Sequence, residues 1–344
     1  MSALVSVIIP VYNGEGIIRR CLSSLCAQTF RDFEVIVVND CSTDGTGEAV
    51  RKMTAETDIA VRLIDQPVNK GVACARNTGL KAAVTPYVYF IDADDTVYPD
   101  ALQTLVEAAH EHDADMTCGG HDITGTASDK HLPLRFSQTR LYSGDDVFAT
   151  FASGEGWHVM PWNKLLRRDF LLSHDLFFIE ELRFHEDYVW NIFVAHCAER
   201  VCVVARQTYE YVINSQSITN SLSRERNLQG YCVAFDCIAS FYRANGICGG
   251  KSEYALLEGK KSGVMYSLLQ IGDIALFNKY YPALRRSVCL SPLKAWRLGI
   301  ISASYLVRDL HNMLPITLGR WYKRMFYNLY YKWRGRKIEG AVWN

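Results

Sequence analysis

Three carboxylates lie within four residues at Asp92-Ala93-Asp94-Asp95, directly after the apolar run Tyr87–Ile91. Negative side chains this close repel one another, so they are costly to gather at a strand end unless a cation is present. A divalent ion held there, Mn²⁺ or Mg²⁺, would bridge a diphosphate and neutralise the charge that develops on it as a leaving group. The alternative is a solvated turn that caps the helix that follows.

Two further segments combine polar side chains with predicted helix starts. Asp40 ends the apolar run Phe33–Asn39, where it can accept hydrogen bonds from a nucleotide base or ribose, or belong to a helix N-cap. Lys70 and Arg76 lie near another helix start, where backbone N–H groups favour anions, although a surface helix with two basic residues is the alternative. No GxGxxG motif follows the first strand, which argues against an NAD-dependent enzyme.

Alternating strands and helices are predicted to position these residues. Helical patterns separate four continuous apolar strands, which are Leu4–Val11, Phe33–Asn39, Ile59–Asp65 and Tyr87–Ile91. This alternation is typical of a parallel sheet covered on both faces, and ligands bind such sheets outside the carboxyl ends of the strands. The loops that carry Tyr12, Asp40 and Asp92 are therefore expected to converge on one edge.

Beyond residue 120 the alternation of strands and helices weakens. Residues 119–144 are polar and contain glycine, which predicts a loop or a short hairpin. Asp187–Ala198 has a helical pattern, Val201–Val212 has a strand pattern, and the chain is helical from Arg224 onward. The predicted organisation is two halves of one sheet domain followed by a helical region, with the divisions 1–120, 121–222 and 223–344.

Composition narrows the class of protein. The 344 residues include 37 lysine plus arginine and 37 aspartate plus glutamate, so no overall charge points to nucleic acid. The 11 cysteines form no CxxC or Cys/His zinc spacing and several lie in apolar stretches, which predicts free thiols in a reducing compartment. Neither a signal peptide nor a bilayer-spanning apolar stretch is recognisable, so a cytoplasmic protein is expected.

Four ordered motifs resemble those of the family 2 glycosyltransferases. The motifs are Val5–Asn13, Asn39–Thr46, Asn69–Gly71 with Ala75–Gly79, and Asp92–Asp95. The resemblance implies an inverting enzyme with the GT-A fold, a Rossmann-like mixed α/β sheet flanked by helices, here with a helical C-terminal extension. It also implies a nucleotide-diphosphate sugar as donor, with UDP expected first and GDP or dTDP open.

The same resemblance assigns roles to residues of the first half. Those expected to contact the nucleotide sugar are Pro10, Tyr12, Asn13, Asp40, Lys70, Arg76, Asp92 and Ala93. Asp94, together with Asp92, is expected to hold Mn²⁺ or Mg²⁺. Asp95 is a further candidate.

The catalytic base is expected in the second half, at Glu186-Asp187. Inversion at the anomeric carbon needs a carboxylate opposite the diphosphate that takes the proton of the attacking hydroxyl. Family members often place it in a Glu-Asp pair at a helix start, and Phe184–Trp190 resembles that element. Asp187 is the predicted base and Glu186 the alternative, while a structural interpretation is that acids favour helix N-termini.

Aromatic and histidine residues near this element each have two interpretations. Trp162, in a segment similar to one in bacterial polysaccharide-forming members, either binds the acceptor by stacking on a sugar or lies in the core. His158 and His185 either complete the metal shell or are structural. No Gln-x-x-Arg-Trp motif follows Asp187, and that motif marks processive members, so transfer of one sugar per encounter is predicted.

The C-terminal segment 291–337 is basic and aromatic, with ten Lys/Arg and the single acid Asp309. This combination suits the headgroup layer of an anionic membrane, where a polyprenyl-linked acceptor would lie. The alternative is a terminal helix whose aromatic side chains pack on the rest of the protein.

The sequence thus predicts inverting, metal-dependent transfer of a single sugar from a nucleotide-diphosphate sugar to a glycan or polyprenyl-linked acceptor. Bacterial surface polysaccharide biosynthesis at the cytoplasmic face of the inner membrane is the expected setting. A sugar nucleotidyltransferase is an alternative, but it needs a glycine- and arginine-rich loop after the first strand, and Val11–Glu15 has no arginine. An inactive sugar- or membrane-binding scaffold is the other alternative, which retention of Asp92, Asp94 and Asp187 disfavours.

Overall fold

The computed structural model describes residues 3–125, 133–213, 223–247, 250–288 and 290–332. The chain divides into two units, Met1–Asn220 and Ser221–Asn344. The first unit holds residues 1–120 and all but the end of 121–222, which the sequence analysis treats as two halves of one domain.

The first half of this unit alternates strands and helices, as the sequence predicts. Its elements are β1 (Val5–Val11), α1 (Ile18–Cys26), β2 (Phe33–Asn39), α2 (Thr46–Glu56), β3 (Ala60–Asp65), α3 (Val72–Ala82) and β4 (Tyr87–Phe90). Strand β1 lies between β2 and β4 and is parallel to both. The loops after these three strands therefore leave the sheet at the same edge, and they carry Tyr12, Asp40 and Asp92.

The remaining strands make the sheet a mixed one. Its later elements are β5 (Thr96–Val97), α4 (Ala101–His112), β6 (Met116–Gly125), β7 (Arg140–Ser143), α5 (Asp145–Ser153), β8 (Lys164–Arg167), α6 (Arg168–Ser173), α7 (Glu186–Cys197) and β9 (Arg200–Ile213). Within the described residues, nine strands form one sheet in the order β3-β2-β1-β4-β8-β6-β9-β5, with β7 paired to β9. Strand β8 is antiparallel to β4 and β6 and so joins the two halves. The predicted mixed α/β sheet flanked by helices is confirmed.

Strand β3 differs from the expectation of a strand covered on both faces. Its residues are exposed or only partly buried, whereas every residue of β1 is buried. The position of β3 at the end of the strand order explains the difference, because an edge strand has a neighbour on one side only.

The region predicted as a loop or a short hairpin, residues 119–144, begins as a strand, and His121 forms an antiparallel bridge with Leu134 as a hairpin would. Strand β6 continues to Gly125 and pairs with β9. A Cβ atom on Gly119 would lie 2.1 Å from Oγ1 of Thr208 on β9. Glycine is needed there for close packing, and a glycine-containing polar stretch resembles a loop when it is judged by composition alone. Residues 126–132 lie outside the described part of the chain.

The core of the first unit lies between the sheet and the helices that cover it. Helix α1 contributes an apolar stripe at helical spacing, made by Ile18, Cys21, Leu22 and Leu25, which packs with the inward residues of β1 and β2. Burying each large apolar side chain contributes about 1.5–3 kcal/mol, so these contacts fix the strands whose ends carry the polar loops. Across the described residues nine cysteines are free thiols, as predicted.

The second unit is helical in its described residues, as expected. Its elements are α8 (Arg224–Ala244), α9 (Lys251–Gln270), α10 (Ile274–Arg286), α11 (Pro292–Arg297), α12 (Ala303–Asp309), a 3₁₀ turn (Leu310–Met313), α13 (Ile316–Phe326) and a π-helical turn (Tyr327–Lys332). The side chains of Ser223, Asp273 and Ser291 cap α8, α10 and α11 by accepting amide hydrogen bonds. In the part of the chain that the structure describes, no helix has the length and hydropathy to cross a bilayer.

Candidate active site

The loops after β1 and β2 are fastened to each other by hydrogen bonds. The amide of Asn13 donates to Oγ of Ser42 at 2.9 Å, and Oδ1 of Asn13 accepts from the amide of Thr43 at 2.8 Å. Asn13 has a φ of 49°, a left-handed conformation that asparagine tolerates better than most residues. Asn13 therefore shapes the rim of the sheet edge, between the buried Pro10 and the loop after β2, and the ring of Tyr12 is exposed on that rim.

Asp40 is buried and holds the loop that precedes α3. Its Oδ1 accepts from the amide of Lys70 at 2.8 Å, and its Oδ2 accepts from the amide of Gly71 at 2.7 Å. Gly71 has a φ of 92°, which glycine adopts at little steric cost. Both oxygens of Asp40 thus serve this loop, while the Lys70 side chain is exposed at the same edge. Contact of Asp40 and Lys70 with a nucleotide stays a prediction.

Arg76 lies at the centre of the site and is 4% exposed. Its Nη2 donates to Oδ1 of Asp92 at 2.9 Å, and its Nη1 donates to Oε1 of Glu186 at 3.1 Å. The guanidinium also lies over the ring of Phe178, 5.4 Å from the centroid. Burial opposes the charge of Arg76, but Asp92 and Glu186 outweigh it and raise the pKa of the guanidinium. One side chain therefore joins the acidic turn to the Glu-Asp pair.

Glu186 and Asp187 begin helix α7. Burial and the neighbouring Asp187 carboxylate raise the pKa of Glu186 to about 7, despite the opposing charge of Arg76. Burial also raises the pKa of Asp187, against Arg76 and the amide of Tyr188. That amide donates to Oδ1 of Asp187 at 2.7 Å. Glu186 is thus bonded to a guanidinium and Asp187 to a backbone amide, so the two carboxylates differ in how strongly they are held.

The acidic turn is anchored through Asp95. This side chain is fully buried and accepts from Oη of Tyr209 at 2.6 Å and from the amide of Val212 at 2.8 Å. The same Oη accepts from the amide of Asp92 at 3.3 Å. Ala93 lies within the turn and is buried. Asp95 therefore fixes the turn to β9, and its contacts are structural.

Asp92 and Asp94 are the residues that suit a divalent cation. Burial raises the pKa of Asp94 to about 6, and the neighbouring Asp92 carboxylate is the second cause. Carboxylate oxygens are ligands that Mn²⁺ and Mg²⁺ prefer, so the donor set fits such an ion. Among the described residues, no group of three or more His, Cys, Asp or Glu is arranged to hold a metal. His158 and His185 thus do not complete such a group, and an ion would take its other ligands from substrate or water.

Comparison with known proteins identifies the family. The family model described as Glycosyl transferase family 2 matches residues 6–173. The uncharacterized glycosyltransferase EpsJ of Bacillus subtilis strain 168 is 32% identical over 257 residues, which cover 74% of each chain. This chain belongs to glycosyltransferase family 2.

Other known proteins agree with this family. The uncharacterized glycosyltransferase YibD of Escherichia coli K12 is 35% identical to this glycosyltransferase over 226 residues, 64% of each chain. The crystal structure of Staphylococcus aureus TarS 1–349 in complex with UDP-GlcNAc superposes with a TM-score of 0.71 at 20% identity, covering 97% of this chain and 93% of that chain. This likeness shows the GT-A fold. Family membership also favours a glycosyltransferase over the nucleotidyltransferase considered above.

Trp162 lies in the core of the glycosyltransferase, 6% exposed. Its indole stacks on Tyr209, with centroids 4.4 Å apart and planes 7° apart, and on Tyr211 at 5.7 Å. His121 meets it edge-on at 5.0 Å. A stacked face cannot at the same time cover a sugar, so the geometry favours the core interpretation of Trp162 over acceptor stacking. Through Tyr209, Trp162 supports the anchor of the acidic turn.

Two residues of the site were missed by the sequence analysis. Asn77 follows Arg76 and bonds the backbone of Phe178, and Tyr209 holds the turn at Asp92 and Asp95. Asn77 stands in the motif Ala75–Gly79, which is the one signal that could have pointed to it. Tyr209 lies in a strand with no motif, and only the sheet order brings β9 beside β5.

Proposed function

We propose that this glycosyltransferase moves a single sugar, with inversion, from a nucleoside diphosphate sugar to a hydroxyl of a glycan or polyprenyl-linked acceptor. UDP is the first candidate nucleotide, because the structurally similar TarS is named in complex with UDP and with UDP-GlcNAc. GDP and dTDP are the alternatives. Bacterial surface polysaccharide biosynthesis is the proposed setting, on the resemblance of the segment around Trp162 to polysaccharide-forming members.

The bridge made by Arg76 carries this proposal. One guanidinium bonds Asp92 at 2.9 Å and Glu186 at 3.1 Å, so it fixes the spacing between the acidic turn and the start of α7. Inverting transfer needs a base across the sugar from the leaving diphosphate. A rigid spacing between a donor-side and a base-side carboxylate meets that need, because small displacements of reacting groups cost large factors in rate.

The donor is proposed to lie along the sheet edge. Tyr12 and Lys70 are exposed in loops at that edge, and Asn13 and Asp40 hold the loops that carry them. Asp92 is held toward the site by Arg76. A divalent ion held by Asp94 and Asp92 would stabilise the negative charge of the leaving diphosphate.

Asp187 is proposed as the base. Glu186 already accepts from Arg76, so a proton taken by Glu186 would weaken that buried pair. Asp187 accepts from a backbone amide at the start of its own helix, which leaves lone pairs for the acceptor hydroxyl. Its pKa is raised by burial, which suits a carboxylate that must take up a proton.

A matched pair of variants tests this proposal. The wild-type protein is screened with UDP, GDP and dTDP sugars plus Mn²⁺ for release of the nucleoside diphosphate. With the donor so found, Asp187→Asn should bind the nucleoside diphosphate normally in calorimetry but lose about 10²–10⁴-fold in turnover, the range of a general base. Glu186→Gln keeps a hydrogen-bond acceptor for Arg76, so its turnover should fall less than that of Asp187→Asn.

The outcomes separate the parts of the proposal. An active Asp187→Asn variant beside an inactive Glu186→Gln variant would move the base to Glu186. A wild-type protein that releases no nucleoside diphosphate from any of these donors would refute the transferase proposal for this chain.

We further propose that the C-terminal region contacts anionic membrane at the cytoplasmic face. Not every basic residue of this region is available to bind lipid, because Lys323 is fully buried and Arg308 is paired with Asp309. The same segment nevertheless carries large exposed apolar side chains and exposed arginines. The apolar ones are Trp296, Leu298, Trp321 and Leu329, and the arginines are Arg297 and Arg324. Residues 333–337 of the predicted basic tail lie outside the described part of the chain.

Vesicle flotation tests this contact with the full chain. Binding is expected to phosphatidylglycerol-containing vesicles and not to phosphatidylcholine alone, and it should weaken with salt. Changing both Trp296 and Trp321 to Ser should weaken binding by about tenfold or more, since a buried large apolar side chain contributes about 1.5–3 kcal/mol. The exposed Val84, changed to Ser, is the matched control. If the wild-type protein does not bind the phosphatidylglycerol-containing vesicles, the membrane contact is refuted.

A further inference from the structure

Two consecutive residues of α3 reach the same distant segment. We call residues 175–185, which connect α6 to α7, the strap, because they lead directly into Glu186. Arg76 bonds Glu186 just beyond the strap, and Asn77 bonds the strap itself. The donor-side helix therefore holds both the pair of acids and the segment that delivers them.

Asn77 uses both ends of its amide on the strap. Its Nδ2 donates to the carbonyl of Phe178 at 2.8 Å and to Oε1 of Glu180 at 3.0 Å. Its Oδ1 accepts from the amide of Phe178 at 2.8 Å. Asn77 is 2% exposed, and its two bonds to Phe178 are buried, so losing them costs the desolvation of backbone groups that they satisfy. Asn77 thus bonds both the N–H and the C=O of Phe178, a residue outside any helix or strand.

The residue that Asn77 bonds is packed against the reacting elements. Phe178 stacks on Trp190 of α7, with centroids 4.4 Å apart and planes 13° apart, and meets Phe90 of β4 edge-on at 5.6 Å. The guanidinium of Arg76 also lies over its ring, 5.4 Å from the centroid. A shift of Phe178 would therefore move α7, which begins with Glu186, relative to β4, which leads into Asp92.

The strap is not held by its own backbone preferences. Non-glycine residues with left-handed φ stand at both of its ends, Asp175 at 53° and His185 at 64°. L residues adopt this conformation at a cost, so surrounding contacts must maintain it. Asn77 supplies such contacts in the middle of the strap, and Lys81 adds a weaker one, 3.9 Å from Glu180.

We propose that Asn77 is a positioning residue for sugar transfer, which sets Glu186 and Asp187 relative to Asp92 by clamping the strap at Phe178. The proposal rests on the transfer function proposed above. Asn77 acts through the strap and has no part in proton transfer.

Three variants test the clamp. Asn77→Ala removes all of its hydrogen bonds, and Asn77→Asp keeps the shape but loses both donated bonds. Glu180→Gln is the control, since it still accepts from Asn77 while losing its charge pair with Lys81. Each is measured for kcat, for calorimetric affinity for the nucleoside diphosphate, and for the pH dependence of kcat.

Both Asn77 variants should lose about tenfold to a hundredfold in kcat, the cost of misplacing a reacting group, with nucleoside diphosphate affinity within about twofold. The acid limb of the pH profile should shift, because the burial of Glu186 and Asp187 changes when the strap loosens. Glu180→Gln should behave as wild type. Unchanged kcat and pH profile in folded Asn77→Ala or Asn77→Asp would overturn the proposal, as would equal losses in kcat and affinity.

Hydrogen exchange separates this inference from the function on which it rests. Amides of residues 177–188 should exchange faster in Asn77→Asp than in wild type or Glu180→Gln, whether or not a donor has been found. Faster exchange together with no turnover by the wild-type protein would leave the clamp standing and refute the transfer function. Unchanged exchange would refute the clamp itself.

Discussion

The two units each bury a cluster of charged side chains, and the clusters are unbalanced in opposite directions. In the first unit, the acid-rich cluster places Asp92, Glu186 and Asp187 around Arg76. In the second unit, the lysine cluster places Lys261, Lys323 and Arg308 around Glu258 and Asp309.

The lysine cluster is closed to water. Lys323 and Asp309 are both fully buried, with Nζ of Lys323 4.0 Å from Oδ1 of Asp309 and 3.0 Å from Oγ of Ser262. Lys261 bonds Glu258 at 2.7 Å and the carbonyl of Ser287 at 3.0 Å. Burial lowers the pKa of Lys323 to about 7, so this cluster relieves its excess of positive charge by giving up a proton.

The acid-rich cluster is open on one side. The Asp92 side chain is 31% exposed while that of Arg76 is 5% exposed, so the cation is sealed and an acid faces solvent. Burial, and after it the neighbouring Asp187 carboxylate, raises the pKa of Glu186 to about 7. An exposed surplus of carboxylate can be neutralised by a substrate cation or a metal ion, whereas a surplus of charge sealed from water can be relieved only by gaining or losing a proton. The solvent exposure of a charged cluster therefore distinguishes a binding site from a purely structural network.

Substitution of Arg76 should have the largest effect on stability. Among the described residues, Arg76 is the only cationic side chain that bonds both Asp92 and Glu186, and the substitution removes it. Arg76→Met should cost about 3–5 kcal/mol of unfolding free energy, the range for breaking a buried pair. The loss should be larger at pH 8 than at pH 6, because the stranded acids can take up protons at the lower pH. Urea unfolding at both values measures it.

Arg51→Met is the matched control for that loss. Arg51 pairs with Asp65 at 2.6 Å, but both side chains are about half exposed, at 57% and 46%. Exposed pairs contribute about 0–1 kcal/mol, so the control should lose little at either pH. If Arg76→Met costs no more than Arg51→Met, the buried bridge is not a stabilising centre.

Sequence reasoning succeeded where the chain's local order determines the outcome. The convergence of the loops after β1, β2 and β4 could be predicted, because parallel strands send their carboxyl ends to one edge. The bond from Arg76 to Glu186 could not be predicted, because no spacing in the sequence indicates which residue of the second half contacts α3. The clamp of Asn77 on Phe178 was hidden for the same reason.

Composition alone gave wrong expectations about which charged side chains lie on the surface. Lys323 stands between Tyr322 and Arg324, and the run reads as a basic surface, yet the structure seals Lys323 beside Asp309. Trp162 was open to two interpretations because an indole suits a sugar face as well as a core. Only the neighbouring position of Tyr209 in space favours one of them.

The next largest effect is expected in the affinity for Mn²⁺. This affinity should depend on pH through Asp94. Because the pKa of Asp94 is raised to about 6, a proton competes with the ion below that pH. Mn²⁺ affinity should then fall about tenfold per pH unit below pH 6 and level off above it. Water-proton relaxation of Mn²⁺ solutions at pH 5 to 8 measures it.

The slope should disappear in Asp94→Asn, which binds Mn²⁺ more weakly at every pH. Asp58→Asn, at an exposed carboxylate paired with Arg31, should keep the wild-type slope. Affinity that does not change between pH 5 and 7 in wild type would show that Asp94 is not a ligand.

Lys323→Met should have the smallest effect, and its sign tests the lysine cluster. The folded pKa of Lys323, near 7, lies below the unfolded value of about 10.4, so between these values the unfolded chain binds one more proton. Wild-type stability therefore rises with pH through this window, and methionine removes that rise. Asp309 keeps Arg308, at 2.7 and 2.6 Å, so the variant should lie within about 1 kcal/mol of wild type at pH 9.

Relative to wild type, Lys323→Met should gain stability as the pH falls from 9 toward 7, because only wild type has an unfolded state that binds an extra proton at residue 323. Below pH 7 the difference should level off, since the folded lysine then takes up the proton as well. Urea midpoints at pH 6, 7.5 and 9 give this difference. Lys279→Met removes an exposed lysine paired with Glu225, and its difference from wild type should not change over the same range. A difference for Lys323→Met that is also flat would mean that Lys323 stays charged in the folded protein. The two clusters would then no longer differ in how they relieve their excess charge.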